Sequence, residues 1–402
     1  MKKTIKLAIV AALALGATSA FATNGDTMIG VGAKAVGMGG VGIGMGHGAE
    51  SALSNPAMIT TVEGTQVSFG GTVFMPDVKT NLGDGTGFHN SDADLSIIPT
   101  VAIAQKATDN FYWGIGMYGV AGMGTDYRDA TGGAANFNMV TNLQLMQFVV
   151  PLSYKVNGFS IGIAPILQYG SLDINFKNNS GGPLGGLAAG ATSDTQGVAQ
   201  DFGLGYTIGA AYEMNAFTVG ASYKSAISMT YDGQISEAMQ DFTGTLGSDK
   251  LEQPAELGIG ASYVMGSSTI AFDYKKIKWS DADGYKDFAW EDQDVYMVGY
   301  QFAQDNYAIR VGYNYAKSPI SDQGVAGSLL NVFNLLGFPA IVEEHYTIGG
   351  SYEFTKMTSV DLAYVYSPEA SENFAYSLGG PVTSIETKHS QSAVTAQLNF
   401  NF

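Results

Sequence analysis

Cysteine is absent from all 402 residues, so no disulfide can staple the fold and no thiolate can serve as nucleophile or metal ligand. Charge is scarce as well. Only 14% of the residues are Asp, Glu, Lys or Arg, and arginine occurs just twice, as Arg128 and Arg310. The 19 basic residues face 36 acidic ones, a formal net charge of −17, which argues against nucleic acid as a partner. No stretch reaches the roughly 18 to 20 apolar residues that a helix needs to cross a bilayer. These absences exclude a disulfide-framed secreted domain, a helical membrane protein and a nucleic-acid binder.

What is abundant points to strands. The chain holds 53 Gly, 22 Tyr and 21 Phe, a profile rich in turn formers and β-favouring aromatics. Residues 1–22 open with Lys2, Lys3 and Lys6, continue through an apolar run, and close on Ala20-Phe21-Ala22. That pattern reads as a secretory signal peptide. Without its three lysines, 16 basic residues remain against 36 acidic ones, a net charge of −20.

Residues 23–61 are too glycine-rich for a long helix and lack the alternation of a strand. They read as a hatch, or plug, that something larger surrounds, ending in Asn55-Pro56-Ala57. From 62 to 402 apolar residues recur at every second position in fourteen runs, near 66–75, 97–106, 111–124, 142–156, 159–176, 202–213, 217–231, 255–265, 269–280, 294–302, 307–317, 344–354, 359–367 and 390–402. Tight connections at 108–110, 157–158, 214–216, 266–268, 303–306 and 355–358 alternate with long ones. An even number of strands with alternating short and long connections predicts an all-β fold: a 14-stranded antiparallel transmembrane β-barrel of the bacterial outer membrane, turns toward the periplasm and loops outward. A lumen that wide is not filled by side chains alone, which places the N-terminal hatch inside it.

Alternation also assigns faces. Val394, Ala396, Leu398, Phe400 and Phe402 share one side of the last strand, expected toward lipid, and Thr395, Gln397, Asn399 and Asn401 share the other. The same phase turns Lys224, Glu256, Asp273, Arg310, His345, Glu353 and Asp361 inward. Three loops carry more apolar residues than solvent favours: Leu184 and Leu187; Met239, Phe242 and Leu246; and Leu330, Phe333, Leu336 and Phe338. They read either as a groove that collects an apolar ligand or as short helices that cap one another over the barrel mouth.

Several motifs, weak singly, occur together in order. They are Asn55-Pro56-Ala57, Gly119-Val120-Ala121-Gly122-Met123-Gly124-Thr125-Asp126-Tyr127, Gln253-Pro254-Ala255-Glu256-Leu257-Gly258, Asp273-Tyr274 with Lys278-Trp279-Ser280, and Arg310-Val311-Gly312-Tyr313 with Ser318-Pro319. With these residues the chain resembles the FadL/TodX-type outer-membrane transporters of long-chain fatty acids and other hydrophobic compounds. The resemblance implies a hatch-closed barrel, a collecting groove on the outer loops, a tighter interior site, and lateral exit through a kink in the third strand. Gly119, Gly122 and Gly124 are the expected kink. Asn55, Pro56 and Ala57 are the expected hatch element beside it, and Arg310, then Arg128, are the expected contacts for a ligand carboxylate. With just two arginines, a neutral hydrocarbon or aromatic ligand fits about as well as a fatty acid.

No enzyme activity, cofactor or metal is expected. Gly37-Met38-Gly39-Gly40-Val41-Gly42 matches a dinucleotide-loop pattern but follows no strand, so conformational freedom is the expected reason for its glycines. Expected partners are the hydrophobic ligand, outer-membrane lipid and lipopolysaccharide, and the barrel-assembly machinery through C-terminal Phe402. The alternative to a transporter is a general porin or an adhesin-like structural barrel.

Overall fold

The computed structural model describes residues 23–130, 135–179, 184–194, 197–244 and 247–402. The signal peptide assigned to residues 1–22, and Leu246 of the expected groove, lie outside these. Fourteen barrel strands follow in chain order. They are β1 (Thr65–Asn81), β2 (Ser96–Lys106), β3 (Phe111–Asp126), β4 (Val140–Val149, resuming as Leu152–Val156), β5 (Phe159–Lys177), β6 (Ala199–Met214) and β7 (Phe217–Lys224). The second half comprises β8 (Glu256–Met265), β9 (Ser268–Ile277), β10 (Gln293–Gln304), β11 (Tyr307–Ala316), β12 (Glu344–Thr355), β13 (Thr358–Tyr376) and β14 (Thr383–Asn401). Every neighbour is antiparallel, and β14 closes on β1 from Glu386↔Asn81 to Asn401↔Gln66. Pairing β14 with β1 removes the two free edges of an open sheet, which a bilayer requires because lipid cannot hydrogen-bond a free strand.

The faces follow the alternation. Val394 on β14 is exposed while its neighbours Thr395, Gln397 and Asn399 are buried, and Tyr346, Ile348, Tyr352 and Phe354 stand outward on β12. Inside, Ser68 donates to Asn399 and Thr72 meets Thr395, so polar residues of adjacent strands satisfy one another across the lumen face.

Some boundaries differ from those expected. β13 and β14 form a hairpin that runs to Tyr376 and restarts at Thr383, well beyond the expected ends at 367 and 390. The extension carries Lys79 of β1 paired with Glu369 at 2.7 Å, and Lys388 near the same carboxylate. A strand that rises above the bilayer has two polar faces and so loses the lipid-facing row by which it was recognised. In the other direction, β7 stops at Lys224 instead of near 231. Residues beyond it turn over the lumen, held by the bridges Ile227↔Gln253 and Thr230↔Lys250.

The hatch fills the lumen. It comprises two short strands (Thr23–Asn24 and Thr27–Met28), helix α1 (Ala33–Gly37) and two 3₁₀ turns (Ala49–Leu53 and Pro56–Thr61). Its glycines provide both the freedom the sequence suggested and clearance: Gly39 and Gly40 take φ of 72° and 90°, a Cβ on Gly44 would lie 2.3 Å from the Ala261 nitrogen, and one on Gly39 2.7 Å from the Tyr313 nitrogen. The barrel answers with inward glycines of its own, Gly312 against Gly39 and Gly220 against Ile43. Backbone thus packs on backbone, closely enough for direct hydrogen bonds.

Three of those bonds converge on one carboxylate. The N–H groups of Gly42, Ile43 and Gly44 donate to Asp273 at 2.7, 2.6 and 3.1 Å. Consecutive amides make a natural anion nest, here occupied by a barrel side chain. Nearby, Asn55 caps the second 3₁₀ turn by accepting from Ala57 N–H, with Pro56 at the first position where its missing N–H does no harm. The Asn55 amide donates to the carbonyls of Ile43 and Ala210, and Ser153 donates to Pro56. Asn55-Pro56-Ala57 therefore sits against β4 and β6. Gly209→Val tests this seat, since a Cβ there would fall 1.9 Å from Asn55 Oδ1. We expect the hatch of that variant to become protease-sensitive, reflecting overpacking of about 1–3 kcal/mol, while Gly380→Ala, with open space around it, behaves as wild type.

Over the extracellular mouth lie helices α2 (Ile235–Thr243) and α3 (Ser328–Gly337). Phe242 packs on Phe137, Phe176 and Phe333 with ring centroids 5.3 to 6.2 Å apart. α3 is tied to the barrel wall by Thr125 and Thr387, which donate to the carbonyls of Leu336 and Leu335 at 2.8 Å.

Candidate functional site

The third strand is where the wall is incomplete. β2 and β3 pair from Lys106↔Tyr112 up to Thr100↔Tyr118, and the ladder stops there. Immediately above, the β3–β4 register shifts between Gly119 and Ala121, so Val120 forms a bulge. Gly119 has a further role, because Ile98 Cγ2 would lie 2.5 Å from any Cβ at that position. On the side that β2 leaves open, the hatch supplies the partner: Thr27 pairs with Ala121, and Gly122 N–H donates to Asp26 O at 3.0 Å. A piece of plug thus stands in for a piece of wall.

Behind this piece lies a cavity of about 70 Å³. Its apolar lining comes from Met28, Ile29 and Val31 of the hatch, Val120 of the bulge and Met297 of β10. On the opposite wall Lys224, Glu256 and Lys275 form one ion cluster, with Glu256 held by Lys275 at 2.9 Å and by Lys224 at 3.3 Å. Two ammonium groups share one carboxylate beside an apolar surface, with the buried carboxylates of Asp26 and Asp273 within electrostatic reach of Lys224 and Lys275 respectively. The volume decides how the site works: ~150 Å³ is needed to hold a benzene ring, so the cavity admits a whole ligand only if the hatch strand yields.

Asp26 holds that strand. Its carboxylate is fully buried and accepts from Gln253 Nε2 at 2.9 Å, from the Tyr285 hydroxyl and from Thr27 Oγ1 at 3.2 Å. Burial lifts its pKa to about 6 against the lowering effect of those donors and of Lys224. Tyr285 belongs to an aromatic cluster with Trp279 and Trp290, centroids 4.6 to 5.0 Å apart. At the start of the strand Thr23 N–H donates to Gln391, whose amide meets His389, which in turn bonds Pro339 O beneath α3.

Comparison with known proteins bears on this arrangement. The family described as outer membrane protein transport protein (OMPP1/FadL/TodX) matches residues 7–402. The chain belongs to this family. It is an outer-membrane transport protein, and no curated protein matches it in sequence. Among solved structures, a FadL homologue of Pseudomonas aeruginosa superposes with TM-score 0.72 at 16% identity, over 94% of this chain and 100% of that one. The toluene transporter TodX of P. putida gives 0.68 at 18% identity (93% and 99%), and the toluene transporter TbuX of Ralstonia pickettii gives 0.66 at 16% (93% and 98%). At these identities the likeness concerns the fold: the closed 14-strand barrel is shared.

Against that family background the expected site residues fall in several places. Gly119, Gly122 and Gly124 lie on β3, at and just above the bulge. Asn55, Pro56 and Ala57 are bonded to β4 and β6, and the hatch residues that pair at the bulge itself are 26–28. Neither arginine lines the cavity. Arg310 is buried near the periplasmic turns, donating to Gln301 and Ser351 beside Asp361 and Lys34. Arg128 is exposed and paired with Asp126. Lys224 and Glu256 were legible as inward-facing, yet their convergence with Lys275 was not, because it depends on which strands neighbour one another. Of the groove residues, Leu184, Leu187, Phe242, Phe333, Leu336 and Phe338 are buried, and Met239 and Leu330 partly so. In this closed form they are the core of a cap.

Proposed function

We propose that this protein carries hydrophobic small molecules inward by binding and diffusion, through the cap, into the cavity behind residues 26–28, and out sideways where those residues leave β3. The observation that carries the reading is the Thr27↔Ala121 pairing, a hatch strand completing a gap in the barrel wall next to an apolar cavity. No catalytic step is part of it. A general porin fits poorly, since a porin's lumen is open and this one holds 23–61 packed by direct hydrogen bonds.

The favoured ligand is an apolar chain or ring ending in a carboxylate, met by the ammonium groups of Lys224 and Lys275, which share the one ion-pair partner Glu256. TodX and TbuX are toluene transporters, so a neutral aromatic is the competing ligand. Lys275→Met separates the two. It leaves Lys224 paired with Glu256 and removes the second ammonium group. A charge-assisted hydrogen bond contributes about 1.5–3 kcal/mol, so affinity for a long-chain acid should fall about 10- to 100-fold by titration calorimetry in detergent. Affinity for a neutral hydrocarbon should not move. Equal loss for both ligands would reject the carboxylate assignment.

Outward Phe402, whose backbone pairs with Thr65 at the β14–β1 seam, is proposed as the contact for barrel assembly, and the lipid-facing rows for outer-membrane lipid and lipopolysaccharide.

A further inference from the structure

We propose that Asp26 is the latch of the lateral gate and sets how readily it opens, with Tyr285 and Gln253 as its positioning residues. The proposal rests on the reading of residues 26–28 as a gate, and adds what holds that gate shut and what loosens it.

The geometry comes first. Residues 26–28 pair with the wall at a single bridge, through the Thr27↔Ala121 register and the Gly122 N–H bond to Asp26 O that flanks it. The same residue that accepts this bond sends its side chain away from β3. There Asp26 Oδ2 is shared by Tyr285, from the loop between β9 and β10, and Gln253, from the segment before β8. Gln253 also reaches the Tyr285 hydroxyl, at 3.4 Å, and its backbone is fixed by the bridge to Ile227. The gate strand is therefore pinned at one carboxylate by two extracellular segments. Movement of either, as ligand works past the cap, bears directly on the gate.

The latch group is an acid buried in a closed gate, and this gives it a second property. The groups facing it are Tyr285 and Gln253, Thr27 on its own strand, Tyr231 from the segment after β7, and Lys224 from the end of β7. Lys224 is shared with Glu256, and its attraction for Asp26 is outweighed by the burial of the carboxylate. Burial raises its pKa from 3.8 to about 6 in the closed gate. In an open gate, with the strand in water, the ordinary value returns. A group whose pKa is higher in the closed form stabilises that form fully in acid, and the contribution is lost as pH rises through the closed-state value. The gate is accordingly tightest below about pH 4 and loosens as pH passes 6, leaving it poised to open at neutral pH.

The absence of native cysteine provides a direct probe. Met28→Cys places a single thiol in the cavity lining, buried while the gate is closed. The measurement is its alkylation by a maleimide in proteoliposomes without ligand, from pH 5 to 8, divided by the rate at exposed Gly380→Cys to cancel thiol ionisation. The expected result is a rise of about tenfold, centred near pH 6, from the two pKa values. Asp26→Asn in the same background can still accept from Tyr285 and Gln253 and donate to Thr27, but carries no charge. It should be flat with pH and slower than the parent at pH 8. Tyr285→Phe, which removes one donor to the ionised form, should be faster than the parent at pH 8. A parent rate independent of pH, or an Asp26→Asn variant that keeps the pH dependence, overturns the latch. Because ligand is absent, failure here leaves the lateral route to be judged by transport alone.

Discussion

Joining Thr27 to Ala121 through a disulfide is expected to stop transport, and reduction to restore it. The two are register partners across an antiparallel bridge, a spacing of about 4.5–5.5 Å between Cα atoms that suits a disulfide. The double variant Thr27→Cys, Ala121→Cys carries no other thiol to compete with it. The size of the effect follows from how little holds the gate otherwise. Backbone hydrogen bonds contribute about 1 kcal/mol each, and here a single bridge, flanked by the Gly122 N–H bond to Asp26 O, holds the strand, against the sixteen paired positions of the β14–β1 seam. A segment so lightly held opens by local fluctuation while the barrel stays intact, and a covalent bond removes that fluctuation. In proteoliposomes, uptake of a long-chain acid by the oxidised form should fall to the background of empty vesicles and return with reductant, while each single variant transports. Undiminished uptake by the oxidised form would eliminate the lateral route and redirect attention to an exit past Lys34 and Arg310 at the hatch's periplasmic side.

Removing the Asp273 carboxylate should unseat the hatch and convert a closed barrel into a conducting one. Gly42, Ile43 and Gly44 all donate to this side chain, and Asp273 is itself buried. Asp273→Ala leaves three buried N–H groups without their acceptor, each costing about 1–3 kcal/mol. That sum rivals the stability with which a hatch of 39 residues is seated, whereas the barrel ladders are untouched because Asp273 contributes only its side chain. Planar-bilayer recording should show steps of ion conductance that the parent lacks, and Asp273→Asn, which retains one acceptor oxygen, should fall between. A silent Asp273→Ala protein that remains folded would mean the glycine-to-glycine packing alone holds the hatch. Asp273 can be tested separately from Asp26 because the two hold different parts of the hatch, Asp273 gripping residues 42–44 in its middle and Asp26 anchoring its gate strand.

The parts of the site that were legible in advance are those encoded locally. Glycines at 119, 122 and 124 announce a disturbed strand because a residue without a side chain packs poorly in a sheet, and the bulge at Val120 lies among them. Asn55-Pro56-Ala57 was legible as part of the hatch, whereas the 3₁₀ turn that Asn55 caps there was not. The loop helices were visible as apolar runs, but apolarity is the same whether a residue lines a groove or fills a core, and Phe333 and Leu336 prove to be core. Asp26 was not singled out at all. A lone carboxylate in a glycine-rich segment looks like any solvated charge until Tyr285, 259 positions away, is seen to meet it.

The sequence alone determined the class of object: alternating rows with greasy outer faces can be buried only by lipid, and fourteen of them with alternating short and long joints close into one cylinder. That inference needs nothing beyond period two, since each strand carries its own record of which side is wet. What the tertiary structure decided is every relation between distant segments. Which strand lacks a partner, which stretch of hatch replaces it, and which three charged side chains gather behind it depend on barrel closure and on the seat of residues 23–61. Contacts of that kind are settled by the free energy of the assembled whole, so no window along the chain contains them.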